Sequence, residues 1–128
     1  RLRRAQSTLY YGLFDCLARS GAGSLVGASH AIRTSDSWRL TYRSLDHGNA
    51  KKACQNTGAF SIDIQDFATA FANLQERRHL ADYDPHFRLT KSEVLFDIEL
   101  AADVIRRFQD ESIRTKRPFA AHVLLKKR

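Results

Sequence analysis

Arg78 stands where an apolar residue belongs. From Ile62 onward the chain places Ile64, Phe67, Phe71 and Leu74 at i, i+3, i+7 and i+10, which is one buried helix face. Continuing that stripe by four reaches Arg78, and by four more Asp82. A guanidinium on a core-facing stripe must be paired or must line a cleft, because an unpaired buried charge is costly. Asp82 is its i,i+4 neighbour and can pair with it, and Tyr83 follows directly, ahead of Asp84-Pro85. Arg can fork onto phosphoryl oxygens in a way Lys cannot match. Tyr can stack on a base or donate a proton. Cleaving RNA needs, in addition, a base for the 2′-hydroxyl. Of the five histidines, His79 projects about 100° away from Arg78 around the helix. His47 is the candidate base. Two readings of Arg78 stay open: an intrahelical ion pair at a fraying helix end, or one wall of a functional cleft.

The other chemistry on offer is thin. Tyr10 and Tyr11 precede Phe14 and Asp15; aromatics at this spacing read first as core, with Tyr11 and Asp15 as the members facing outward or into a cleft. Glu93, Asp97 and Glu99 read as a solvated face, and Asp103 can pair with Arg106 or Arg107. There is no Gly-rich phosphate loop, and neither Cys16 nor Cys54 has ligand spacing around it. No metal and no cofactor is expected, and the two thiols are expected to be reduced.

The elements that must position these residues are helices. Leu2, Leu9, Leu13 and Leu17 mark a first helix, expected to stop near Gly21 and Gly23. Ser24 to Arg33 reads as a turn or a short helix. Ser35 or Asp36 caps a second helix through Trp38, Tyr42 and Leu45, stopped at Gly48. On that reading His47 ends the helix, where the dipole favours an imidazolium, and Arg43 lies four residues before it on the same side. A short helical turn is expected around Ala50 to Cys54. Ser61 opens the third main helix, which Asp84-Pro85 breaks. Thr90 with Glu93 forms a capping box for a fourth, through Val94, Ile98, Ala101, Ile105 and Phe108. Beyond Arg114 the run Phe119 to Leu125, after Pro118, reads as a terminal helical turn or an extended arm. The expectation is an all-α, up-and-down bundle of four to five helices, one domain over residues 1–128 with a basic tail from about residue 114.

Composition bounds the function. With 128 residues, 43% hydrophobic and 27% charged, the chain can bury a core without staples. No apolar run approaches membrane-spanning length. The chain opens at Arg1 without a charged-then-apolar leader, so a cytoplasmic location is expected. The net charge of +7 is concentrated at Arg1, Arg3 and Arg4 and again from Arg114 to Arg128. Such ends contact phosphates without reading sequence, or simply keep a protein soluble.

Leu9-Tyr10-Tyr11-Gly12-Leu13-Phe14, followed by a long helix closing in Arg78-x-x-x-Asp82-Tyr83, resembles the HEPN superfamily, in particular its single-domain branch with an Asp-Tyr ending. These small all-α domains occur in prokaryotic toxins, antiphage systems and RNA-processing proteins. The resemblance implies a homodimer with the motif of each subunit at a shared cleft, and RNA as the ligand. Active members cleave RNA without metal, through an Arg followed four to six residues later by His; here Tyr83 lies five on, and His86 falls beyond Pro85. The implied function is therefore an RNA-binding domain, either a metal-independent or a degenerate ribonuclease of toxin-antitoxin or defence type. Arg78 would hold the phosphate, Asp82 would orient it, Tyr83 would stack or donate a proton, and His47 would serve as base. The alternative is a non-catalytic dimeric module that pairs with a nucleotidyltransferase-like or other protein. An excess of aromatic residues over core needs (Tyr10, Tyr11, Trp38, Phe60) adds to the expectation of a homodimer.

Overall fold

The computed structural model describes residues 1–126. Lys127 and Arg128, the end of the expected basic tail, lie outside the described residues. The chain is all-helical among those residues, with seven helices rather than four or five: α1 (Leu2–Leu25), α2 (His30–Arg33), α3 (Asp36–Arg43), α4 (His47–Cys54), α5 (Ile62–Tyr83), α6 (Lys91–Asp110) and α7 (Ile113–Leu124). None is long and apolar enough to cross a membrane.

Four of the boundaries follow from caps. The Ser35 and Ser61 hydroxyls accept from the backbone N–H groups of Trp38 and Ile64. Thr90 and Glu93 exchange both bonds of a capping box at α6. Asp84 ends α5 in extended backbone, as the following Pro85 requires.

Two expected boundaries move. Helix α1 runs through Gly21 and Gly23 and ends beyond them, with Gly27 in positive-φ backbone (φ +147°). Gly21 is instead a packing site: a Cβ there would lie 2.6 Å from Leu124 Cδ1, so glycine lets α7 approach α1. The second helix ends at Arg43, not Gly48. Asp46 caps a new helix by accepting from the Asn49 N–H at 2.9 Å, and Gly48 lies inside it. Arg43 and His47 thus belong to different helices.

Helix α1 is the hub, touching α3, α5, α6 and α7, while α5 also packs on α4 and α6. The α5 stripe is buried as its spacing predicts. On α6 the inward face is Val94, Asp97, Ala101, Val104 and Phe108, so Ile98 is exposed and Asp97, expected in solvent, is buried. Asp97 Oδ2 accepts from Gln6 Nε2 at 3.0 Å and from Arg77 Nε at 2.9 Å, tying α1, α5 and α6 together. Arg107 similarly bridges to Asp63, Asp66 and Asp103. The segment from Arg114 is no tail as far as it is described. It forms α7, with Phe119, Ala120 and Val123 buried and Arg117 Nε donating to the Ser24 carbonyl. The helix continues through Pro118, and those three residues form its buried face. Trp38 and Tyr10 are buried and Phe60 packs on Phe119, so three of the four aromatics expected at a dimer surface serve the subunit's own core.

Candidate functional site

Helices α1, α4 and α5 meet where Tyr10, Tyr11, Phe14, His47 and Arg78 converge. The α5 stripe delivers Arg78 to α1, and there its guanidinium carbon lies 5.1 Å from the centre of the Tyr11 ring and 5.7 Å from that of Tyr10. Both distances fall in the range of cation–π attraction. Its side chain is 22% exposed. Asp82 Oδ2 stands 3.5 Å from Arg78 Nε, an ion pair too long to be a good hydrogen bond, and that buried Nε has no hydrogen-bond partner. The guanidinium is held in place but not saturated.

His47 enters as the first residue of α4, and Gln75 Nε2 anchors its carbonyl at 3.1 Å. Its ring stacks on Phe14 with centres 4.2 Å apart, and its Nδ1 lies 2.7 Å from Tyr10 Oη. Tyr11 meets it edge-on. The expected dipole effect is reversed, because a helix N-terminus disfavours a cation. Desolvation and the nearby Arg78 charge hold His47 below its ordinary value, against a smaller opposing pull from Asp46. Its imidazole is therefore neutral at neutral pH, the form a base or a neutral donor needs. Burial raises the Tyr10 phenol, outweighing the Arg78 charge, so it stays protonated. When Tyr10 donates to Nδ1, His47 carries its proton on Nε2; when Tyr10 accepts, Nε2 holds the free lone pair.

Of the residues singled out in the sequence, Arg78, Asp82 and His47 share this site. Tyr83 does not join them: it is 70% exposed and its ring rests on His79 at 4.8 Å. Tyr11, 43% exposed, takes the place beside Arg78. No family model matches the chain, and no curated protein or solved structure matches it. What the site can do rests on its own chemistry.

Beside it, Asp15 accepts from the Tyr42 hydroxyl and from Arg19 Nε, the latter at 2.9 Å. Burial pushes its carboxyl up, but these two bonds outweigh that and hold it below the usual carboxylate value. The two thiols offer no nucleophile: burial pushes Cys16 up to about 11 and Cys54 to about 12. Among the described residues no group of three His, Cys, Asp or Glu side chains is arranged to hold a metal ion. Tyr10 and Tyr11 meet Arg78 from α5 and His47 from α4, which starts at His47 rather than near Ala50.

Proposed function

We propose that the α1/α4/α5 cleft binds the backbone of single-stranded RNA, as a HEPN-like domain would. The observation that carries this reading is the Arg78 guanidinium, positioned by two tyrosine rings, incompletely hydrogen-bonded and next to a neutral histidine. A phosphate would bond to the terminal Nη groups, while the buried Nε stays turned to Asp82. Tyr11 supplies an exposed ring on which a base can stack, and Asp82 fixes the guanidinium from behind. His47 supplies the proton-transfer group, so any cleavage runs through its Nε2 and needs no bound metal. Anisotropy of a labelled single-stranded RNA tests the assignment. Tyr11→Ala is expected to weaken binding about tenfold, from the loss of one stacked base. Arg114→Ala, on an exposed turn of α7, changes only the salt slope. Equal affinities for wild type and Tyr11→Ala contradict it.

A second reading is favoured by a different observation. Leu95, Phe96 and Ile98 leave an apolar patch exposed on α6. A non-catalytic module would use that patch to pair with a second copy or with a nucleotidyltransferase-like protein, burying at least about 1,000 Å² in total. Light scattering separates the outcomes: a mass twice 14.6 kDa that falls back to one chain in Leu95→Lys supports it. A monomer at high concentration sinks it.

A further inference from the structure

Helix α4 presents His47 to Phe14 and Tyr10 on one side. A cavity of about 430 Å³ opens between the other side of that helix and α7, bordered by Asn49, Lys52, Asn56, His122, Leu124 and Lys126. Asn49 and Lys52, at i and i+3, share one face of α4, and Asn56 borders the same cavity just beyond the Gln55 C-cap, so two amides and an ammonium line it together. Among the described residues no Asp or Glu borders the cavity, and two lysines do, so their field selects an anion. The floor is apolar, from Ala53, Val123 and Leu124. His122 is fixed at its edge, Nε2 donating to the Ala53 carbonyl at 2.8 Å and the ring 5.1 Å from that of Phe60. A pinned imidazole over an apolar floor is a stacking platform, amides read base edges, and lysines take phosphate. The volume falls within the range of small-molecule sites.

We infer that this cavity is a nucleotide subsite, taking one base with its phosphate. The inference rests on the RNA reading and extends it, since Lys52 lies five residues beyond His47, about one and a half turns along the same helix. A strand leaving the Arg78 cleft along α4 would place a neighbouring nucleotide there. The rings link the two sites through the core: His47 stacks on Phe14, which reaches Phe71, Phe67, Phe108 and Phe119, and Phe119 touches His122.

The test titrates the isotope-labelled chain with adenosine 5′-monophosphate, adenosine and inorganic phosphate, following backbone amide shifts. Saturable shifts on Asn49, Lys52, Asn56 and His122 are expected with the monophosphate. Affinity should be at least about tenfold weaker for each of the two fragments, the loss expected when either the stacked base or the charge-assisted phosphate contact is removed. The Asn49→Ala/Lys52→Ala variant, both positions exposed, should lose that binding with its melting temperature unchanged, and Arg78→Ala should keep it. Absence of saturable shifts overturns the inference, as does phosphate binding as tightly as the monophosphate. Loss of binding in Arg78→Ala also overturns it, because the ligand would then occupy the other cleft. Failure of the RNA reading itself shows separately, as unchanged RNA affinity in Tyr11→Ala.

Discussion

Asp97→Ala should be among the most damaging single changes outside the aromatic core. The carboxylate side chain is 11% exposed and its Arg77 partner 26%, so solvent screens the pair only in part. Truncation removes two hydrogen bonds to a charged acceptor, from Gln6 and Arg77, each worth roughly 1.5–3 kcal/mol. It also strands Gln6 without a partner for Nε2, when its Oε1 is already unpaired and buried. Arg77 keeps a weaker partner, Glu93 at 3.7 Å, which limits the loss. Allowing for that and for partial screening, about 3 kcal/mol is expected. For a chain of this length that is about 10 °C in Tm, at roughly 3–4 °C per kcal/mol. Asp97→Asn keeps an acceptor and should cost less. Replacing the pair together, Arg77→Met with Asp97→Leu, should recover the part of the loss that comes from an unpaired Arg77, while the part from the stranded Gln6 amide remains. Urea unfolding followed by circular dichroism measures all three. A cost for Asp97→Ala within about 0.5 kcal/mol of zero, the range of ordinary surface substitutions, would refute the reasoning.

Three further outcomes follow from the site and the surface. Tyr10→Phe removes the 2.7 Å bond to His47 Nδ1 and should lower stability by about 1 kcal/mol in the same unfolding experiment. Because His47 is held below its ordinary value in the fold, the unfolded chain takes up its proton first as pH falls. The His47 contribution is thus fully present above about pH 6.5 and is lost as pH drops through that value towards the folded one. His47→Gln should flatten the decline of Tm between about pH 7.5 and 5.5, and an unchanged slope would contradict the assignment. Leu95→Lys should leave Tm within about 2 °C of wild type at concentrations where the wild type is monomeric, since an exposed position loses little.

Much of this was legible in the sequence where the signal is local and redundant. The Ser61 cap, the Ile64–Phe67–Phe71–Leu74 stripe and Asp84-Pro85 together define α5, and they deliver Arg78 to the right face. Thr90 with Glu93 does the same for α6. Asp97 was missed although its signal matches that of Arg78, a charge on the stripe of Val94, Ala101, Val104 and Phe108. Ile98 and Ile105 beside it offered a competing stripe of equal hydrophobicity. His47 was placed at a helix end because Gly48 reads as a stop, whereas Asp46 is a cap that starts the next helix. The pairing of Tyr10 with His47 spans 37 residues and depends on how α4 docks, which no local pattern encodes.

Arg78→Ala, with RNA affinity and melting temperature measured on one preparation, tests the central claim most directly. RNA binding at least about tenfold weaker is expected, the loss of one charge-assisted bond pair, with little rescue by Arg78→Lys. A lowered melting temperature with RNA affinity unchanged would contradict it and make Arg78 a structural ion pair with Asp82.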